Sequence, residues 1–264
     1  VNTVDPNPLR IEHLTFSYTD TLVLDNLNLT LVPGEMVVLL GANGAGKTTL
    51  LRTIARQLEP DSGTIWIDES DIHSFTRRSL AQRVSLMPQF EHRDTSLTVH
   101  EVVMLGRAPH AGWYKPWSTL DASLVRESLE TTGMWGLRDR TLDTLSGGEW
   151  RRMILARSLA QQARVLLLDE PTAGLDLRYQ YESLRKIRML VKSRQLIALL
   201  SIHDLQQSAM FGDKIVLLAS QRLIAFGAPS EVLTAPLLEQ AFGIRVQVFT
   251  NPINGLPTIV PVET

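Results

Sequence analysis

The stretch Gly41-Ala42-Asn43-Gly44-Ala45-Gly46-Lys47-Thr48 decides how the chain is read. It follows the apolar run Met36 to Leu40, which predicts a buried strand. It precedes Thr49 to Leu58, where Leu50, Leu51, Ile54, Ala55 and Leu58 recur at helical spacing and predict a helix through Leu58. Strand, glycine-rich turn and helix are the setting in which G-x-x-x-x-G-K-[ST] binds phosphate. The glycines let the backbone curl so that successive N–H groups point inward, and the helix N-terminus adds the positive end of its dipole. Gly41, Asn43, Gly44, Gly46, Lys47, Thr48 and Thr49 are therefore candidate nucleotide-binding residues. Lys47 would reach the β- and γ-phosphates, and the Thr48 hydroxyl would face Mg²⁺. The bland alternative is a glycine-rich turn with no ligand.

The chain has 264 residues, 44% hydrophobic and 20% charged, which suits one large globular domain and excludes a disordered chain. A net charge of −2 gives no global attraction to nucleic acid. There is no cysteine, so disulfides and thiolate metal sites are excluded, and a reducing compartment fits. No signal segment is legible at the N-terminus. The longest apolar runs, such as Leu196 to Leu200, are far short of the ~20 residues a membrane helix needs. A soluble protein is expected, with any membrane role coming through a partner.

Working outward, residues 1–8 carry Pro6 and Pro8 and read as a loose arm. Leu9 to Tyr18 and Leu22 to Leu31 predict strands joined by a hairpin across Thr19-Asp20. The leucines of the second strand keep one face except for a slip near Asp25-Asn26. Tyr18, at a strand end upstream of the glycine-rich loop, either packs on a sheet edge or stacks on a base. Thr64 to Asp68 and Val84 to Gln89 predict strands, the second ended by Pro88, with a short helix at Thr76 to Arg83 between them. Gln89 opens a polar loop. From Thr98 to Ala160 no strand is predicted. Thr98 and Glu101 form a candidate capping box for a helix to Arg107, and Leu120 to Trp135 predicts another helix. Between them Arg107 to Trp117 is dense in aromatics and prolines, a packed loop or a docking surface.

Leu145-Ser146-Gly147-Gly148-Glu149 opens a further helix to Ala160. Ser146, Gly147 and Gly148 present either a second anion site or an ordinary N-cap. Val165 to Leu168 is a continuous apolar run closed by Asp169 and Glu170, the pattern of a buried parallel strand with ligands at its carboxyl end. Beside a phosphate loop, Asp169 becomes the Mg²⁺-side carboxylate and Glu170 is free to orient or deprotonate a water. Asp176 lies in a turn before a helix from Leu177 to about Lys192, whose Arg185, Lys186 and Arg188 read as a solvated face. Gln195 to Ile202 predicts another buried strand, with His203 at its end as a γ-phosphate contact. Further strands are predicted at Lys214 to Ala219, Arg222 to Ala225 and Arg245 to Phe249. Short helices are predicted at Glu231 to Leu233 and Leu237 to Phe242.

Together these residues resemble the ATP-binding subunit of ABC transporters over nearly the whole chain. Gly41 to Thr48 resembles the phosphate loop of that family, Leu145 to Glu149 its signature, and Val165 to Glu170 its second nucleotide motif with Glu170 as the catalytic glutamate. Gln89, Asp176 and His203 fall at its Q-loop, D-loop and switch histidine, and Tyr18 at its adenine-stacking aromatic. Glu149 stands where Gln is commoner, and Trp150 where a polar or basic residue is usual. The resemblance implies an α/β fold: a P-loop NTPase core with a mostly parallel sheet, an N-terminal antiparallel β subdomain and an inserted α-helical subdomain. Residues 1–97 and 161–264 would form the core, and 98–160 the helical signature part. It further implies ATP and Mg²⁺, with Thr48, Gln89 and Asp169 as metal-side residues and Glu170, His203, Lys47 and Gln89 in catalysis.

A second copy, stacked head to tail, would bring Ser146, Gly147, Gly148 and Asp176 to the nucleotide. The other implied partners are transmembrane permease subunits and, indirectly, a substrate-binding protein, at the cytoplasmic face of the membrane; no nucleic acid is expected. Leu105 to His110, Leu175-Asp176-Leu177, His203-Asp204-Leu205 and Phe226 to Leu233 resemble the branch that drives import of ferric siderophores, haem and vitamin B12. An iron–sulfur-assembly ATPase and a nucleic-acid ABC ATPase are the other classes. The second is disfavoured by the short span from Lys47 to Ser146, which holds no heptad run.

Overall fold

The computed structural model describes residues 8–89, 96–111 and 116–262. The N-terminal arm, most of the polar loop after Gln89 and the middle of the aromatic loop (112–115) lie outside them. In chain order the first elements are β1 (Leu9–Tyr18), β2 (Thr21–Leu31), β3 (Met36–Leu40), α1 (Lys47–Ile54), β4 (Ser62–Ile67), β5 (Ser70–Asp71), α2 (Arg77–Ala81) and β6 (Val84–Met87). Three helices follow, α3 (Val99–Leu105), α4 (Thr119–Thr131) and α5 (Gly147–Ala160). Then come β7 (Val165–Asp169), α6 (Leu177–Arg194), β8 (Ile197–Ser201), α7 (Leu205–Phe211), β9 (Lys214–Ala219) and β10 (Arg222–Gly227). The chain closes with α8 (Pro229–Val232), α9 (Ala235–Phe242), β11 (Val246–Thr250) and β12 (Pro257–Pro261).

A six-stranded sheet runs β10-β9-β3-β8-β7-β6, parallel except for the edge strand β10. An antiparallel sheet, β2-β1-β4-β5, packs against it. Alternation along the central strands divides the interior in two. Val37 and Leu39 of β3, Val165 and Leu167 of β7, and Leu199 of β8 join β1, β2 and α1 in one core. Met36, Val38, Leu40, Leu166, Leu168 and Leu200 face the other, with α3 to α7. Strands buried on both faces read as continuous apolar runs, which is why these were legible in the sequence. The β1–β2 hairpin forms as expected, with register shifts and Asn26 at φ +49° where the leucine pattern slips.

Several expectations are corrected. α1 stops at Ile54, not Leu58, because Arg56 turns to φ +53° and spans to α2's approach, donating to the Phe75 carbonyl at 2.8 Å. α4 stops at Thr131, not Trp135. Gly133 at φ +69° supplies the left-handed residue, and the Met134 N–H reaches back to the Leu129 carbonyl at 2.7 Å. α7 and β12 were not anticipated; α7 is capped by Asp204, whose carboxylate accepts the Gln207 N–H at 2.8 Å.

The helices between Thr98 and Ala160 hold together through a buried ion. Arg107 is 4% exposed and donates from Nε to Asp121 at 2.8 Å and from Nη1 to the Ala160 carbonyl at 2.9 Å. Arg107 is thus an internal tie of α3, α4 and α5, not part of an open docking surface. The turn after it is pinned to α2, where Arg78 and Gln82 donate to the Pro109 carbonyl at 3.0 and 2.8 Å. The Thr98–Glu101 capping box is present.

Candidate nucleotide site

Because β3, β8, β7 and β6 are parallel neighbours, their carboxyl ends share one edge of the sheet. The candidate residues follow those ends: the glycine-rich loop after β3, His203 after β8, Asp169 and Glu170 at the end of β7, and Gln89 after β6. They converge on an open cleft of about 590 Å³ lined by Tyr18, Val23, Asn43, Gly44, Gly46, Lys47, Thr48, Thr49, Gln89, Glu170 and His203. Ser146, Gly147, Gly148 and Asp176 are absent from this lining.

Two glycines of the loop are required by shape. A Cβ on Gly41 would lie 2.5 Å from the Leu218 carbonyl oxygen, and one on Gly46, at φ +94°, 2.8 Å from Leu24. Lys47 is 7% exposed and folds over its own loop, donating to the Gly41 and Ala42 carbonyls at 2.7 and 3.0 Å. Burial lowers its pKa from the ordinary lysine value, and the charges of Glu170 and Asp169 oppose that shift. No side chain caps α1, whose N-cap is Gly46, so its first N–H groups are left for a ligand.

The carboxylates divide by environment. Asp169 is 2% exposed, accepting the Thr48 hydroxyl at 2.7 Å and the Ser201 hydroxyl at 2.6 Å. Thr48, Asp169 and Gln89 offer hard oxygen donors of the kind Mg²⁺ takes. Among the described residues no cluster of three or more His, Cys, Asp or Glu could hold a metal unaided, so a cation here would share its shell with phosphate oxygens and water. Glu170 sits at φ +51°, and its N–H donates to Ser201 at 2.8 Å. Its Oε1 accepts from Gln89 Nε2 at 2.8 Å and lies 2.5 Å from His203 Nε2. Glu170 is therefore engaged by two cleft neighbours instead of free.

Ser146 and Gly147 are exposed at the start of α5, and Ser146 forms a capping box with Glu149. The Glu149 carboxylate accepts the Ser146 N–H at 2.8 Å, which holds its pKa below the ordinary range. The unusual Glu149 thus has a local purpose. Trp150 packs half-buried against the larger core. Asp176, also exposed, caps α6 by accepting the Tyr179 N–H at 2.9 Å.

Sequence reasoning missed two residues. Ser201 braces both carboxylate residues, and its only signal was a hydroxyl closing an apolar strand. Arg151 is 7% exposed and donates to backbone carbonyls around Glu170. Its signal was a cation in helical register with Ile154, Leu155 and Ser158, on the buried stripe of α5.

The sequence pattern described as ABC transporter matches residues 24–173. The chain is similar to a petrobactin import ATP-binding protein of Bacillus anthracis, 36% identical over 96% of this chain and 93% of that one. This chain belongs to the ABC transporter family. The ABC subunit is also 35% identical to a ferric enterobactin transport ATP-binding protein of Escherichia coli K12, over 96% of this chain and 93% of the other. Among solved structures it is similar to a metal-chelate type ABC transporter in an inward-facing conformation, with a TM-score of 0.83 and 26% identity, covering 97% of this chain and 98% of that one. As an ATPase subunit of this family it carries the P-loop NTPase fold. Among the described residues, no helix is long and apolar enough to cross a membrane.

Proposed function

We propose that this ABC ATPase powers uptake of a chelated metal, a ferric siderophore or a related complex such as haem or cobalamin, through a membrane permease. The observation that carries the catalytic reading is the convergence of Lys47, Thr48, Gln89, Glu170 and His203 on one cleft, with Asp169 against Thr48. The cargo rests on the likeness to the petrobactin and enterobactin transport proteins. ATP is the substrate. Tyr18, 45% exposed at the cleft, stacks on the adenine, and the loop N–H groups with Lys47 take the phosphates. Thr48, Asp169 and Gln89 would hold Mg²⁺, which supplies charge neutralisation at the phosphate oxygens.

Hydrolysis is in-line attack on the γ-phosphorus. The water oxygen forms the new P–O bond while the bond to the β–γ bridging oxygen breaks, and Glu170 takes the water's proton. Lys47 and His203 stabilise charge on the transferred group. Before that, Glu170 must exchange its contacts with Gln89 and His203 for the water. That exchange couples Gln89 to the state of the site. Residues 98–160 act as the signature part. Two copies stack head to tail, so that the exposed Ser146 and Gly147 and the half-buried Gly148 of one copy close on the nucleotide of the other, with Asp176 at the same seam. The subunit then works at the cytoplasmic membrane face, bound to permease subunits and served indirectly by a substrate-binding protein.

Glu170→Gln should keep ATP binding, lower hydrolysis by about 10²–10³-fold and trap a closed dimer, seen by size-exclusion chromatography with ATP. Hydrolysis at the normal rate would overturn the assignment. Uptake assays in a deletion strain, with ferric siderophore, haem and cobalamin supplied in turn, decide the cargo.

A further inference from the structure

Among the described residues no carboxylate is hydrogen bonded to the buried Arg151 guanidinium; it donates instead to four backbone carbonyls. Nε donates to Glu170 at 2.9 Å, Nη1 to Pro88 at 3.0 Å and Gln89 at 2.7 Å, and Nη2 to Glu170 at 2.5 Å and to Asp169. The β6–β7 ladder ends at the Met87–Leu168 pair, so the guanidinium bridges the two chains just beyond the last register position. Those chains carry Gln89 and Glu170, whose side chains meet at 2.8 Å. Glu170 needs such bracing because its backbone is left-handed, at φ +51°. A buried cation is costly unless its donors are filled, and the five N–H groups of a planar fork are matched here by converging carbonyls. Burial lowers the Arg151 pKa, with Asp169 and Glu170 opposing.

We propose that Arg151 is a positioning residue, fixing the Glu170 and Gln89 backbones and linking them rigidly to α5, the helix capped by Ser146. The proposal rests on the hydrolytic role of Glu170 given above. Arg151 does not touch the substrate; it sets where the Glu170 carboxylate stands. A shift of the signature end of α5 then moves the glutamate and the glutamine together.

The test is a double-mutant cycle in full-length protein, with kcat and the Kd for ATP measured separately. Arg151→Met should lower kcat about 10²-fold, the scale of a small misplacement of a reacting group, and leave the Kd for ATP within about twofold. In the Glu170→Gln background the same change should cost nothing further in single-turnover rate. Arg151→Lys keeps a positive charge but not the planar fork, and should fall between wild type and the Met variant. Unchanged kcat in Arg151→Met, an equal loss in both backgrounds, or full rescue by Lys would overturn the proposal. If the Met variant does not fold, Arg151→Lys carries the cycle: loss confined to the wild-type Glu170 background supports positioning, and equal loss in both overturns it. Normal hydrolysis by Glu170→Gln alone would instead remove the catalytic assignment, independently of Arg151.

Discussion

Two helix N-termini in this molecule look alike in sequence and differ in what they leave open. α1 begins after a glycine with no side-chain cap, and its N–H groups face a cleft shared with residues from the ends of β1, β6, β7 and β8. α5 begins after Ser146, whose hydroxyl accepts the Glu149 N–H while Glu149 closes on the Ser146 N–H. The first end is unfinished without an anion. The second has satisfied part of its own polarity and presents Ser146 and Gly147 to the outside. Glycine before a helix is thus not one signal: α1 leaves its first N–H groups without a side-chain cap, whereas α5 caps its own.

The largest effect should come from the uncapped end. Lys47→Ala removes a buried ammonium that no other Lys or Arg among the described lining residues replaces, and ATP affinity should fall by about 10²-fold or more, measured by equilibrium nucleotide binding. Unchanged affinity would erase the distinction between the two helix ends.

Gly147→Ala probes the capped end. A Cβ there meets nothing within 4 Å inside one chain, so folding stability should change by less than about 1 kcal/mol and ATP binding should persist. Turnover should drop roughly tenfold if a second copy needs that space for its nucleotide. Undiminished turnover would return the Ser146 turn to a plain cap.

The smallest effect concerns the tie behind the signature helix. Hydrogen bonds from Ser118, then from Arg107, hold the Asp121 pKa at about 2, below its ordinary 3.8. A depressed carboxylate pKa contributes stability that is complete above the ordinary value and lost as pH falls through the folded one. Asp121→Asn should therefore be less stable than wild type at neutral pH, with the gap closing between about pH 4 and pH 2. Denaturant midpoints across that range check it; a constant gap would mean the carboxylate charge is not what ties these helices.

Much of the fold was legible because its determinants are local. The five residues of β3 and of β7 are buried on both faces and spell themselves out as apolar runs. The Thr98 capping box needs only four consecutive residues. What escaped was set by distant partners. α1 ends early because Arg56 finds a carbonyl near α2, and Arg107, read as either packed or docking, is claimed by Asp121 and the end of α5. The candidate site divides in the same way. Lys47, Thr48, Asp169, Glu170 and His203 each announce themselves at the end of a strand or the start of a helix. Ser201 and Arg151 do not, since bracing a backbone carbonyl or a carboxylate leaves no motif.

The sequence alone determined that a phosphate loop, a buried acidic strand end and a histidine occur in one chain, because periodicity and short-range turn chemistry are written in neighbouring residues. Only the tertiary structure decided that Glu170 meets Gln89 and His203, that Asp169 takes the Thr48 and Ser201 hydroxyls, and that Arg151 binds two strand ends together. Those contacts join residues far apart in the chain, and their geometry is fixed by the order of strands in the sheet.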